Sequence, residues 1–448
     1  MEKEAIKYYH DLLLEDNYLQ TTQEILQKAT ETRHLAFGKR PVCSVLRPYF
    51  ISENNYNFVS KTSQLVSQGI FTLGQRLLAD EKLRKEVDLT EQEETIIKFD
   101  HKYGAADVSG RLDGFLSPEG DFNFVEYNAE SPGGLAYGDE LSETFAKMPI
   151  IEKLKEKYTL KTFPIRKKIF DSLVSAYHRW GGEGLPNIAI IDWRGVSTYG
   201  EFLLCKEYFE AQGCKVKIAD PDELEYKDGK LFIEDFQVNL IYKRVIIGEF
   251  LAKFALNHPL IEALQNQAVC MVNAFQVQML YKKSCFALLS DPNYSYIYPK
   301  EILEALLKHI PWTRKVRECK TLHQNNTIDL IPYIAENKDN LVLKPNGEYG
   351  GKGVVLGWQS TNDEWRDTLK GALESSYIVQ ERVPLGTEIY PSLIDGELRF
   401  DERFLDLDPY VWDGKNIEGC GIRLSKLALL NVTAGGGSAT PMFIIDKK

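Results

Sequence analysis

The chain has 448 residues, 44% of them hydrophobic and 27% charged, with 54 basic against 65 acidic side chains and a net charge of −11. That length holds two or three domains around a large core, and the acidic balance argues against nucleic acid or an anionic membrane as the main partner. No stretch approaches the ~20 apolar residues of a membrane span, the charged start Met1-Glu2-Lys3-Glu4 is unlike a signal peptide, and seven scattered cysteines without a Cys-x-x-Cys pair read as reduced thiols in a cytoplasmic protein.

Residues 6–14, 22–32 and 55–85 carry apolar residues at three- and four-residue intervals and are expected to be helices. The next segment reads as a hairpin, with strands over 110–116 and 122–128 around Ser117-Pro118-Glu119-Gly120. A two- or four-residue loop sets Arg111 opposite Glu126 and Asp113 opposite Phe124. Side chains alternate faces along a strand, so Arg111, Asp113, Glu126 and Asn128 then share one face. Two carboxylates, a carboxamide and a guanidinium make an oxygen-rich site for a hard divalent cation beside an anion binder. The same residues also make a solvated hairpin with an Arg–Glu cross-strand pair, and the segment alone does not choose between the two.

Residues 142–158 and 164–179 read as further helices, the second with Pro164 suited to a first turn. A strand at 187–192, a helix at 201–212 closed by Gly213 and a strand at 215–219 form a parallel α/β unit. A strand at 238–244 ends on Lys243 and Arg244, which bind an acidic substrate or stand solvated at a strand end. No Gly-x-Gly-x-x-Gly follows the first strand, so a dinucleotide fingerprint is absent. Residues 250–289 are expected to be helical, with an interruption at 269–275.

Further strands are expected at 340–344, 354–358, 378–382, 388–394, 399–407 and 428–433. Lys344 ends an apolar strand and leads into Asn346-Gly347-Glu348-Tyr349-Gly350-Gly351-Lys352-Gly353. Its glycines permit positive φ and close backbone approach. The loop can fold over phosphates with Lys344 as a point charge, or be a flexible hairpin. It is not a Walker loop. A later strand turns polar at Gln380-Glu381, which either offers backbone atoms to an adenine edge or is core. Asp406 and Asp408 alternate onto one face and either position an amine or cap a loop. Arg423 binds a carboxylate or phosphate, or is a surface arginine. The glycine triplet 435–437 is an anion nest or a turn.

In combination, the order apolar strand, Lys344, glycine loop, strand, helix and Val379-Gln380-Glu381 resembles the ATP-grasp fold. Ordinary ATP-grasp enzymes place their metal-binding carboxylate and asparagine after this hinge, whereas Glu126-x-Asn128 lies far before it. That inversion resembles the circularly permuted ATP-grasp group, especially the synthetase domain of glutathionylspermidine synthetase. The resemblance implies an α/β fold divided into three parts: a helical region with the metal-binding hairpin (1–160), a parallel α/β substrate-side domain (161–280) and a nucleotide-binding region with a lid loop (281–448). It implies two magnesium ions on Asp113, Glu126 and Asn128, and a catalytic Arg111. ATP would lie on Lys283, Lys344, the lid residues Gly350, Gly351, Lys352 and Gly353, and the hinge residues Gln380, Glu381 and Val383.

The activity so implied is ligation of a small-molecule carboxylate to an amine through an acyl phosphate, by a protein for which a homodimer would be unsurprising. A phosphotransferase on the same fold and a non-catalytic nucleotide-binding regulator are the alternatives. Two departures limit the carry-over. The chain has no room for the amidase domain that the named relative often carries, and Asn431-Val432-Thr433-Ala434-Gly435-Gly436-Gly437-Ser438 resembles a different branch of the group. Neither substrate is therefore assigned, and spermidine and glutathione are candidates only.

Overall fold

The computed structural model describes residues 1–117, 119–428 and 437–448. Three helices open the chain, Glu2–Leu13, Asp16–Thr32 and Glu53–Ala79. The longest begins where Ser52 Oγ accepts from the Asn55 N–H, which satisfies a donor the first turn leaves free. It buries Val59, Val66, Ile70, Leu73 and Leu77 as one apolar stripe. The expected helix over 142–158 is instead two, Leu135–Ala146 and Pro149–Lys155, followed by the strand Tyr158–Lys161. Pro149 has no N–H to extend the first helix and opens the second.

The parallel unit is present, with four strands in the order Cys270–Val272, Leu240–Lys243, Ile188–Ile191 and Val216–Ala219. The first of these lies in the expected helix interruption. Three apolar residues are too few to show a period. Lys243 and Arg244, at the carboxyl edge of this sheet, are buried rather than solvated. Each has an acidic neighbour, Glu130 Oε1 at 3.6 Å from Lys243 Nζ and Glu201 Oε2 at 3.6 Å from Arg244 Nη2. Charges at that depth are retained only when paired.

Two antiparallel sheets carry the remaining chemistry. In the larger, Gly437–Thr440, Asn416–Ser425, Glu397–Trp412, Ser109–Leu116 and Phe122–Asn128 follow in spatial order, with Thr387–Ile394 also on the long strand. The early hairpin is thus built into a sheet whose other strands come from the far end of the chain. In the smaller, Thr313–Lys315, Tyr377–Glu381, Leu341–Pro345 and Val355–Leu356 lie side by side. Leu341, Leu343 and Val379 pack with Trp365 and Leu369 of the helix Asn362–Glu374 in a small core of their own. The alternate residues Val342, Lys344 and Gln380 face a large cavity. The strand expected at 428–433 falls, apart from Ala428, outside the described residues, as do Gly435 and Gly436; Gly437 opens a strand.

Candidate active site

The hairpin register differs from the expected one, yet it keeps the four polar groups on one face. Leu116 pairs with Phe122 and Gly114 with Phe124, so the loop is one residue longer than expected. Continued without a break, that register would put Glu126 opposite Leu112, on the face away from Arg111 and Asp113, because a one-residue slip exchanges the faces of a strand. A bulge after Asp113/Gly114 absorbs Val125, and beyond it Asp113 pairs with Glu126 and Arg111 with Asn128. The four polar groups therefore share a face, with partners other than those expected. Behind them Phe122, Phe124 and Tyr127 are buried. Gly110 and Gly114 make room for these rings, since a Cβ there would stand 2.3 Å from Tyr127 Oη and 2.8 Å from Phe122 Cε2.

Charge alternates across the neighbouring strands. Arg111 Nε donates to Asp113 Oδ1 at 2.8 Å and Nη2 to Oδ2 at 3.1 Å, while Nη1 donates to the Gly133 carbonyl at 2.8 Å. Asn128 Nδ2 donates to Asp113 Oδ1 at 2.8 Å. Arg423 lies on Asn416–Ser425, a strand the sequence did not reveal, opposite Asp406. Its Nε donates to Asp406 Oδ2 at 2.8 Å and its Nη2 to Asp113 Oδ2 at 2.7 Å. Asp406 and Asp408 are not loop caps. They sit inside the strand Glu397–Trp412, buried, with Asp408 Oδ2 3.0 Å from Arg423 Nε and 3.6 Å from Arg111 Nε. Burial disfavours ionised Asp113, but Arg111 and Arg423 outweigh it and hold the carboxyl below the usual range. For Asp408 burial dominates and raises the pKa well above that range.

The lysines meet this surface from the other lobe. Lys283 lies between the short helices Gln278–Tyr281 and Cys285–Ser290. Its Nζ donates to Glu126 Oε1 at 2.9 Å and to the Glu348 carbonyl at 2.6 Å. Lys344 Nζ donates to Gln380 Oε1 at 2.6 Å and to the Val125 carbonyl, in the bulge, at 3.3 Å. Asn346 ties the glycine loop to this corner, its Oδ1 accepting from the Ser284 N–H at 2.8 Å. Gly350, Gly351 and Gly353 have φ of +64°, +76° and +71°, a region closed to most side chains.

One cavity of about 610 Å³ joins these parts. Arg111, Asp113, Glu126, Asn128, Lys344, Gly350, Gly351, Gln380, Glu381, Val383, Arg244 and Arg423 all line it. Lys283 reaches it through Glu126, whereas Gly353 is turned toward Pro345, and Lys352 is 77% exposed and pairs with Glu348 at 3.1 Å. The sequence reading missed Asp192, Trp193 and Glu249 on the far wall. Burial brings Asp192 up to about 6. Tyr349 Oη donates to Glu249 Oε1 at 2.6 Å, and Trp193 Nε1 to Glu249 Oε2 at 2.9 Å. The glycine loop is thereby tied to the parallel α/β lobe. Nothing in the local sequence marks that pairing, because the two partners are remote in the chain.

Asp113, Glu126 and Asn128 supply an all-oxygen donor set, which in kind fits a hard divalent cation. With only two carboxylates, it differs from a dedicated cage: among the described residues no group of three or more His, Cys, Asp and Glu is arranged for a metal. Asp113 pairs with Arg111 and Arg423, and Glu126 with Lys283. These three cations are ones that phosphate oxygens would also attract.

No protein-family profile matches the chain. In sequence it is similar to an uncharacterized protein of Mycobacterium tuberculosis, at 24% identity over 343 residues, 71% of this chain and 57% of that protein. It is also similar to a Frankia casuarinae protein described as "Putative glutamate--cysteine ligase 2-2", at 23% identity over 337 residues, 71% of this chain and 36% of that protein. The chain spans little more than half the length of the mycobacterial relatives it matches. In structure it is similar to a glutathione synthetase-like effector of Globodera pallida in its apo form, with a TM-score of 0.63 over 95% of this chain and 96% of that one, at 11% identity. The fold is an ATP-grasp-like α/β fold, in which the oxygen-rich hairpin precedes the lysine-bearing sheet in sequence. Among the described residues no helix is long and apolar enough to cross a membrane.

Proposed function

We propose that this protein is an ATP-dependent carboxylate–amine ligase. The observation that carries the reading is the meeting of Glu126 and Lys344, from opposite lobes, in the wall of one cavity that also holds Arg111 and Asp113. Lys283 and Lys344 bind the nucleotide's phosphates, Gln380, Glu381 and Val383 border the base, and Gly350 and Gly351 bring lid backbone over the phosphate chain. Asp113, Glu126 and Asn128 would hold magnesium, which supplies charge neutralisation and alignment of the reacting oxygens. Arg111 steadies negative charge on the phosphoryl group passing to the substrate carboxylate. The closed lid keeps water from the acyl phosphate until an amine attacks its carbonyl carbon and phosphate departs. Arg244 and Arg423 face the carboxylate-bearing substrate.

Mixing the protein with ATP, magnesium and pools of amino acids, peptides and polyamines tests the reading. A ligase forms ADP and phosphate in equal amounts, requires both carboxylate and amine, and yields a product whose mass is their sum less water. Phosphate retained in the product would identify a phosphotransferase instead, and nucleotide binding without turnover a regulator.

Two further outcomes are expected. Tyr349→Phe removes the lid's hydrogen bond to Glu249, worth about 1 kcal/mol, so the lid opens more often. ADP release without ligated product should then rise severalfold, read as the ratio of ADP to product. The second outcome concerns pH. Burial lowers the Lys344 ammonium from 10.5 to about 8, Glu126 opposing this and Lys283 adding to it. A phosphate beside Lys344 favours the charged form, so nucleotide binding takes up a proton above that pH. Affinity for ADP should be flat below about 8 and fall by up to ~10-fold per pH unit above it, measured by titration calorimetry, with Lys344→Met removing the dependence. For the free protein the sign is reversed. The folded pKa lies below the unfolded one, so the unfolded chain binds more protons between about 8 and 10.5, and stability rises with pH in that window.

A further inference from the structure

We infer that Asp113 gates two anion-binding guanidiniums, keeping Arg111 and Arg423 occupied until its own oxygens are committed to a cation. The inference rests on the nucleotide site proposed above and adds a coupling between its parts. Asp113 accepts four hydrogen bonds, from Arg111 Nε and Nη2, Arg423 Nη2 and Asn128 Nδ2. A carboxylate offers about four lone-pair positions, so it cannot also ligate a divalent ion without giving some of these up.

What remains attached to each arginine decides the consequence. Arg111 keeps Nη1 on the Gly133 carbonyl, with Asp408 Oδ2 3.6 Å from its Nε. Arg423 keeps Asp406, which accepts from the side-chain Nε at 2.8 Å and from the backbone N–H at 3.0 Å. Each guanidinium thus stays anchored while it gives up its bonds to Asp113. Arg111 frees Nε and Nη2; Arg423 frees the Nη2 hydrogen that Asp113 accepts, Nη2 itself staying 2.6 Å from Asp406 Oδ2. Asp408 Oδ2, 3.0 Å from Arg423 Nε and 3.6 Å from Arg111 Nε, lies between the two guanidiniums. Asp113 is the carboxylate that changes partner, and Asp406 holds Arg423 in place while it does so. Free arginine forks would otherwise attract any carboxylate or phosphate. Tying their release to the cation reserves the site for a substrate anion that arrives at a metal-loaded enzyme, which is specificity by an occupied alternative.

The test uses a non-hydrolysable ATP analogue with an imido bridge, with binding followed by calorimetry in EDTA and in magnesium. Wild-type protein should bind tightly only in magnesium. Asp113→Asn imitates the committed carboxylate, since its amide no longer holds two guanidiniums by charge. In EDTA this variant should bind the analogue about tenfold more tightly than wild type does in EDTA, a gain of ~1.4 kcal/mol, although it has lost a cation ligand. Asp113→Asn/Arg423→Gln should lose that gain. Asp113→Asn/Asp406→Asn should lose it too, whereas a general effect of removing negative charge predicts a further gain; thermal melting establishes that each variant is folded. If Asp113→Asn binds in EDTA no better than wild type, while wild type binds in magnesium, the gate is overturned and the nucleotide site stands. If wild type fails to bind in magnesium, the nucleotide site and the gate fall together.

Discussion

Glu126→Gln should reduce ADP formation by ~10²–10³-fold, the range seen when one positioned electrostatic group is removed from a reacting centre. The side chains are nearly isosteric, and a glutamine oxygen can still accept from Lys283 Nζ, which lies 2.9 Å from Glu126 Oε1. The fold should therefore persist, with a loss of about 1–2 kcal/mol from exchanging a charge-assisted bond for a neutral one. What disappears is a negative oxygen where a divalent cation would sit between Asp113 and the phosphates. Magnesium dependence gives an independent reading, because the concentration needed for half-maximal nucleotide affinity should rise along with the loss of turnover. Full ADP formation by Glu126→Gln would remove the hairpin from the chemistry. A solvated-hairpin reading predicts that result, but the structure already disfavours it, since Arg111 and Asp113 lie within the sheet and inside the cavity wall.

Arg111→Ala should affect turnover more than nucleotide affinity. A guanidinium that steadies a phosphoryl group in flight contributes ~10³–10⁵-fold in rate. In the proposed site, ground-state phosphates would be served by Lys283 and Lys344, which Arg111 does not touch. The expected signature is a kcat lowered by ~10³-fold with KM for ATP within severalfold of wild type, from steady-state rates at saturating and limiting ATP. Arg423 remains 2.7 Å from Asp113, so the buried carboxylate keeps a cationic partner and the variant should fold. A change confined to KM would reassign Arg111 to ground-state binding.

The two results would also separate the charge network into parts. Asp406 and Asp408 are buried with Arg423 between strands that pair only in the folded protein. Removing either leaves a buried backbone donor without its acceptor, the Arg423 N–H for Asp406 and the Gly114 N–H for Asp408, at about 1–3 kcal/mol each. Loss of activity in Asp406→Ala or Asp408→Ala is therefore expected to accompany loss of stability, unlike that in Glu126→Gln.

Much of the site was written in local sequence. Alternation alone places Arg111 with Asp113 and Glu126 with Asn128, because residues two apart on a strand share a face. Alternation likewise sets Lys344 beside Val342 and away from Leu341 and Leu343, and closely spaced glycines announce a loop that needs positive φ. Whether the two hairpin pairs face the same way was not local. It depended on a loop one residue longer than expected and a bulge at Val125, two single-residue shifts that cancel in parity. Lys243, Arg244, Asp406 and Asp408 look solvated or like loop caps when read singly, since burial of a charge depends on a partner that the neighbouring sequence does not contain.

By itself, then, the order of residues determined which side chains each strand presents and where backbone could come close to a ligand, since both follow from short-range stereochemistry. Only the tertiary structure decided that the early hairpin joins the late strand Glu397–Trp412, that Arg423 reaches Asp113, and that Tyr349 of the glycine loop meets Glu249 across the cavity. Those contacts join residues remote in sequence, and their selection depends on packing the whole chain, where a one-residue change of register reverses every face it governs.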